Sequence, residues 1–137
     1  MVRWLILLAV LVPVLVLGLA ACGGSGVSKD ALTIKVGRTG GLIVPYAITI
    51  APGGAVTTAG NPPAKPVSLS SAQDEELSRL VRAEIGKLKS LQCGKTFPDE
   101  ASMFITALRK TVVVRGNCEP GFTKLFYKLT NALGLNQ

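Results

Sequence analysis

The chain has 137 residues, 15 lysines and arginines against 8 acidic residues, no histidine and three cysteines, for a formal net charge of +7. That length holds one domain of ordinary size, and the missing histidine removes the usual general base and the usual zinc ligand. A basic balance suits anionic surfaces, but there is no aromatic-basic motif to direct it to nucleic acid.

Arg3 supplies a positive start, and residues 4–17 form an apolar run interrupted by Pro13. At about 14 residues the run is shorter than the ~20 a spanning helix needs. It reads as an export signal. Leu19-Ala20-Ala21-Cys22 follows and leads at once into Gly23-Gly24-Ser25-Gly26. This tetrad resembles the lipobox of bacterial lipoproteins. The resemblance implies cleavage between Ala21 and Cys22, a diacylglyceryl group on the Cys22 thiol and further acylation of the freed amine. The competing reading is an ordinary secretory signal cleaved near Ala21. Two or three acyl chains hold a protein stably where one does not. The expected organisation is a signal over residues 1–21, a lipidated flexible tether over 22–31, and an extracytoplasmic domain over 32–137 anchored to the outer face of the cell membrane. Loss of Arg3 with the signal leaves 14 basic and 8 acidic side chains, a balance of +6. Each Lys or Arg near an anionic envelope is worth up to about 1 kcal/mol, so the domain is drawn to that surface.

From Leu32 the pattern alternates, with Leu32, Ile34 and Val36 on one face and Thr33 and Lys35 on the other, the period of a strand. Gly37-Arg38-Thr39-Gly40-Gly41 breaks it. A second strand is expected over residues 42–50, weakened at its start by Pro45, which cannot donate to a ladder. Ala51-Pro52-Gly53-Gly54 is a turn, and residues 55–58 a short third strand. After the breaker-rich residues 60–66, Ser70 and Gln73 stand in capping-box spacing. Leu77, Leu80, Val81, Ile85, Leu88 and Leu91 fall on one face, which predicts a helix to about Leu91 despite Gly86. Strands are expected over 102–109 and 111–115, where Val112-Val113-Val114 is strongly β-favouring. A last helix opens at Glu119-Pro120, buries Phe122, Leu125, Phe126, Leu129 and Leu133, and stops at Gly134. The order β-β-β-α-β-β-α gives an α+β domain, with about five antiparallel strands carrying two helices on one face.

With Cys22 assigned to lipid, Cys93 and Cys118 remain in an oxidising compartment and are expected to form a disulfide. It closes a loop of about 25 residues, for which chain entropy gives roughly 3 to 4 kcal/mol. A metal site is the alternative, and it lacks companion ligands. On the expected order the bond pins the end of the first helix to the start of the second.

Gly40-Gly41 feeds a β-branched stretch rather than a helix N-terminus, so it does not form a phosphate cradle. It reads as a turn needing positive φ. Arg38-Thr39-Gly40-Gly41-Leu42 between two strands is similar to the Arg-Ser/Thr-Gly-Gly-apolar opening of the emfourin-like proteins, small bacterial inhibitors of thermolysin-like metallopeptidases, and of related actinobacterial lipoproteins. The order of elements from 32 to 133 fits the same family more loosely. Leu42-Ile43-Val44-Pro45 departs from the Ala-Gly step that follows the motif there. The resemblance implies an interaction loop at Arg38, Thr39, Gly40 and Gly41.

Enzymatic readings find little. Asp74-Glu75-Glu76 lies in the first turns of the predicted helix, where acids favour the macrodipole, and Asp99-Glu100 lies in a loop. Arg79, Arg82, Lys87 and Lys89 on the first helix, and Lys124 and Lys128 on the second, form solvated faces or a surface for anionic lipid or an acidic partner. The sequence therefore leads to a lipid-anchored, non-catalytic protein without cofactor, metal or small-molecule substrate. It is expected to bind an envelope protein or other envelope component, with peptidase inhibition as the alternative.

Overall fold

The structure, a computed structural model, describes residues 29–95 and 97–135. The expected signal and Cys22, the expected lipidation residue, lie outside the described residues. Leu32 is the first buried side chain among those described, and its N–H donates to the buried Ser78 Oγ at 2.9 Å. Among the described residues, packing thus begins where the alternating pattern begins.

Eight elements follow: β1 (Ile34–Thr39), β2 (Tyr46–Ile50), β3 (Val56–Gly60), α1 (Ser71–Glu84), β4 (Leu91–Gln92), β5 (Ser102–Ala107), β6 (Lys110–Arg115) and α2 (Pro120–Ala132). The strands form one sheet in the order β3-β2-β1-β5-β6-β4. Every pairing is antiparallel except that of β4 with β6. The α+β class and the helix–strand order stand, with one short strand added.

Register explains the core. Val36 lies opposite Ile48 on one side and Ile105 on the other, and Ile105 opposite Val112. Strand side chains alternate, so these residues share one face. They are fully buried together with Phe122, Leu129 and Leu133 of α2 and its end and Val81 of α1. Burying each such side chain is worth about 1.5 to 3 kcal/mol. The opposite face carries a row of Thr49, Lys35, Thr106 and Thr111 in cross-strand register, with the last two hydroxyls 2.9 Å apart.

Both helix starts follow the sequence. Ser70 Oγ accepts from Gln73 N at 3.3 Å while Ser70 N donates to Gln73 Oε1 at 2.9 Å, the reciprocal capping box. Glu119 caps α2, whose first residue is Pro120. The expected extension of α1 to Leu91 is wrong. The helix ends at Glu84, and Leu91 enters β4 beside Val114. Gly86 is costly inside a helix, and the carbonyls of Gly86 and Leu88 are taken instead by Lys110 Nζ at 3.0 and 2.7 Å. Ser90 Oγ then accepts from Val113 N, drawing the chain onto the sheet edge.

The disulfide between Cys93 and Cys118 is present, with Cα atoms 5.5 Å apart. Because α1 stops early, the bond does not join two helix ends. It ties the exit of β4 to the segment entering α2, and Cys93 N donates to Arg115 O beside it. Other boundaries move as well, among them the end of β5, which stops at Ala107 rather than at residue 109. β1 continues through Gly37 and Arg38 to Thr39, and β2 starts only at Tyr46, after Pro45, so residues 42–45 are loop rather than strand. The β5–β6 turn is built on Leu108 and Arg109, both at positive φ, as a tight two-residue hairpin needs.

Asp74 lies in the first turn of α1, as its position suggested, and has a further role. It is buried, and its Oδ2 accepts from Gly53 N at 2.8 Å, tying α1 to the β2–β3 turn. Glu76 reaches Lys128 of α2 at 3.4 Å across an exposed gap, a contact worth at most about 1 kcal/mol.

Candidate interaction surface around the β1–β2 loop

Arg38 is the penultimate residue of β1, opposite Tyr46 of β2 and Met103 of β5. Alternation places its side chain on the helix-covered face, after Ile34 and Val36. There the core ends and α2 passes overhead. The guanidinium carbon lies 5.6 Å from the Phe126 ring centroid, a cation–π contact that lets a long charged side chain cross apolar surface. Arg38 Nε is shielded from solvent and has no hydrogen-bond partner. Lys87 pairs with Glu84 and Lys128 with Glu76, and among the described residues no acid forms an ion pair with Arg38.

Tyr46 lies beside it. Burial pushes the Tyr46 hydroxyl pKa above its ordinary value; the Arg38 charge opposes that rise and Tyr127 adds to it. The phenol therefore stays neutral throughout the physiological range.

The loop beyond Arg38 is fixed by its glycines. Gly40 and Gly41 have φ of 74° and 64°, the left-handed region that side chains disfavour. A Cβ on Gly40 would meet nothing, whereas one on Gly41 would overlap Asp99 O and sit 2.9 Å from Ala101 N. Leu42 N donates to Asp99 O at 3.2 Å. The 97–101 segment is itself held by Arg115, whose Nη2 donates to the carbonyls of Phe97 and Pro98 at 3.0 and 3.1 Å. The turn rests on a braced loop and presents Leu42 at 85% exposure, with Val44 at 61% and Phe97 at 73%.

Two clefts meet at Arg38. The larger, about 640 Å³, lies between Arg38, Val44, Tyr46, Pro62, Phe126 and Tyr127, with Asn61, Thr130 and Asn131 adding polar groups. The smaller, about 290 Å³, shares Arg38, Ile43 and Tyr127 and is bordered by Glu100 and Asn117.

The sequence motif is thus divided by the fold. Arg38 enters the larger cleft, Thr39 is exposed on the opposite face against Ser102, and Gly40-Gly41 makes the turn. Sequence reasoning missed Phe97, which falls in the loop before the strand at 102, and Tyr127, which reads as a core or core-edge residue of the last helix but is 47% exposed. Among the described residues, no group of three or more His, Cys, Asp and Glu could hold a metal ion, and no helix is long and apolar enough to cross a membrane. No protein-family model, curated protein or solved structure matches the chain.

Proposed function

We propose that this chain is a membrane-anchored bacterial lipoprotein, tethered through Cys22 on the outer face of the membrane, whose domain acts non-catalytically by binding a protein or other envelope component through the β1–β2 loop and its surroundings. The carrying observation is the placement of exposed apolar residues. Of seven large hydrophobic side chains exposed among the described residues, Leu42 and Val44 lie on this loop, Tyr127 borders the same cleft as Val44, and Phe97 is two residues from Asp99, which accepts from Leu42 N. Leu42 is bonded to the segment that carries Phe97, and Val44 and Tyr127 border one cleft. Contiguous exposed apolar surface with polar neighbours is characteristic of interaction sites. The lipobox resemblance of Leu19-Ala20-Ala21-Cys22 supports the anchor. Mass spectrometry of the mature N-terminus tests it: acylated Cys22 is expected, and an unmodified Cys22 thiol in the processed protein refutes it.

Inhibition of a thermolysin-like metallopeptidase is the second reading, favoured by one feature. Leu42 stands at the tip of a turn whose backbone is fixed before any partner arrives, and such pre-organisation strengthens binding. A peptidase assay with added purified chain separates the two: inhibition that disappears in Leu42→Asp supports this reading, and unaffected proteolysis removes it.

A further inference from the structure

We infer that the cleft at Arg38 is a carboxylate-binding subsite, whose occupant is an acidic side chain, flanked by apolar residues, on a protein partner. The inference deepens the interaction-surface reading and rests on it.

The chemistry follows from what surrounds Arg38. A guanidinium offers five N–H donors in a planar fork and accepts nothing. Here Nε is withdrawn from solvent and has no hydrogen-bond partner, and Arg38 forms no ion pair among the described residues. The contact with Phe126 satisfies the face of the guanidinium while leaving its N–H edge unspent. Planar, bidentate acceptors suited to that edge are carboxylates and phosphates. Size and polarity decide between them. The cleft, at about 640 Å³, is walled by Tyr46, Val44, Pro62 and Tyr127 and offers Arg38 as its one charged side chain. A dianionic phosphate would need more cations than it finds, whereas one carboxylate is matched by one guanidinium. The neutral phenol of Tyr46, opposite Arg38 in the ladder, adds no competing negative charge, and Glu100, which borders the smaller cleft that shares Arg38, makes no ion pair with it.

The surroundings identify a protein segment rather than a free acid. Val44 and Tyr127 border the cleft and remain 61% and 47% exposed, and Leu42 lies two residues from Val44 at 85%. A small acid would fill the Arg38 subsite and leave this rim wet. An acidic residue with apolar neighbours covers both. The domain's excess of basic side chains steers such a partner toward it.

The test uses the full chain purified in detergent, followed by NMR of the Arg38 Nε–Hε pair and the Tyr46 and Tyr127 rings. Three probes are titrated: acetyl-Leu-Glu-Leu-amide, its glutamine counterpart acetyl-Leu-Gln-Leu-amide, and acetate. The glutamate peptide is expected to give saturable shifts at all three residues, with affinity at least tenfold above that of the glutamine peptide and of acetate, and to lose that advantage in Arg38→Gln. Equal binding of the two peptides, or no saturable shift with either, overturns the carboxylate inference, and the wider surface reading is then judged separately by cross-linking at Leu42. Acetate binding as tightly as the glutamate peptide overturns the assignment to a protein segment.

Discussion

Replacing Gly40 and Gly41 separately by alanine isolates the two demands that the β1–β2 turn makes. Both residues lie at positive φ, and an alanine held there costs roughly 1 to 2 kcal/mol relative to a relaxed conformation. At Gly40 that is the whole effect, because the added Cβ would meet no atom within 4 Å. At Gly41 the methyl would overlap Asp99 O and crowd Ala101 N, and both are backbone atoms that cannot rotate away. The turn must lift from the 97–101 segment, and the Leu42 N–H to Asp99 O bond at 3.2 Å is lost with it. A lost hydrogen bond adds about 0.5 to 1.5 kcal/mol. The expected costs are therefore about 1 to 2 kcal/mol for Gly40→Ala and roughly 1.5 to 3.5 kcal/mol for Gly41→Ala, to which the backbone overlap adds. In thermal unfolding followed by circular dichroism, each kcal/mol corresponds to about 4 to 8 °C for a domain near this size. Equal losses at the two positions, or a Gly41→Ala chain that melts like the parent, would refute the packing of this turn against Asp99.

Three further outcomes are expected. Reduction of the Cys93–Cys118 bond, which spans 25 residues, lowers stability by about 3 to 4 kcal/mol, read as the difference between denaturant curves with and without reductant; coincident curves contradict it. Asp74→Ala costs about 1 to 3 kcal/mol because the partly buried hydrogen bond from Gly53 N–H to the buried carboxylate is lost, while Asp74→Asn, which retains an acceptor oxygen, costs less; the reverse order in urea titration contradicts it. The folded-state pKa of Tyr46 is raised, first by burial, so its contribution to stability is complete below the unfolded value of about 10 and is lost as pH rises through the folded value. The parent chain should therefore lose more stability than Tyr46→Phe on going from neutral to strongly alkaline pH, and parallel profiles contradict this.

Local signals in the sequence located most of the fold. The Ser70–Gln73 box, Pro120 at the start of α2 and the period-two alternation from Leu32 each depend on residues within one turn or one strand, where spacing alone carries the information. What escaped depends on long-range partners. Nothing near Leu91 indicates a strand, since β4 exists through its pairing with Val114 and Arg115, the Ser90 contact to β6 and the Lys110 hold on the segment that follows α1. Asp74 is the first-turn acid its position indicated, but its acceptor role for the Gly53 N–H appears only when the β2–β3 turn folds back upon it. Residues 42–45 continued an apolar run that the glycines and Pro45 redirect onto Asp99. Of the interaction surface, the turn was legible in its glycines. That Arg38 reaches α2 required knowing that β1 extends past Gly37, which shifts which face each later residue occupies.

The central claim, that the partner is met at the β1–β2 loop, is tested most directly by photo-crosslinking in intact cells. A photoreactive amino acid is placed singly at Leu42 and, as a control, at Leu108, which is 45% exposed and also apolar but sits in the β5–β6 turn at the opposite end of the sheet. The account expects a discrete adduct from position 42 that weakens when Arg38→Gln is added, and none of comparable yield from position 108. Adducts of equal yield from both positions, or from position 108 alone, would contradict it.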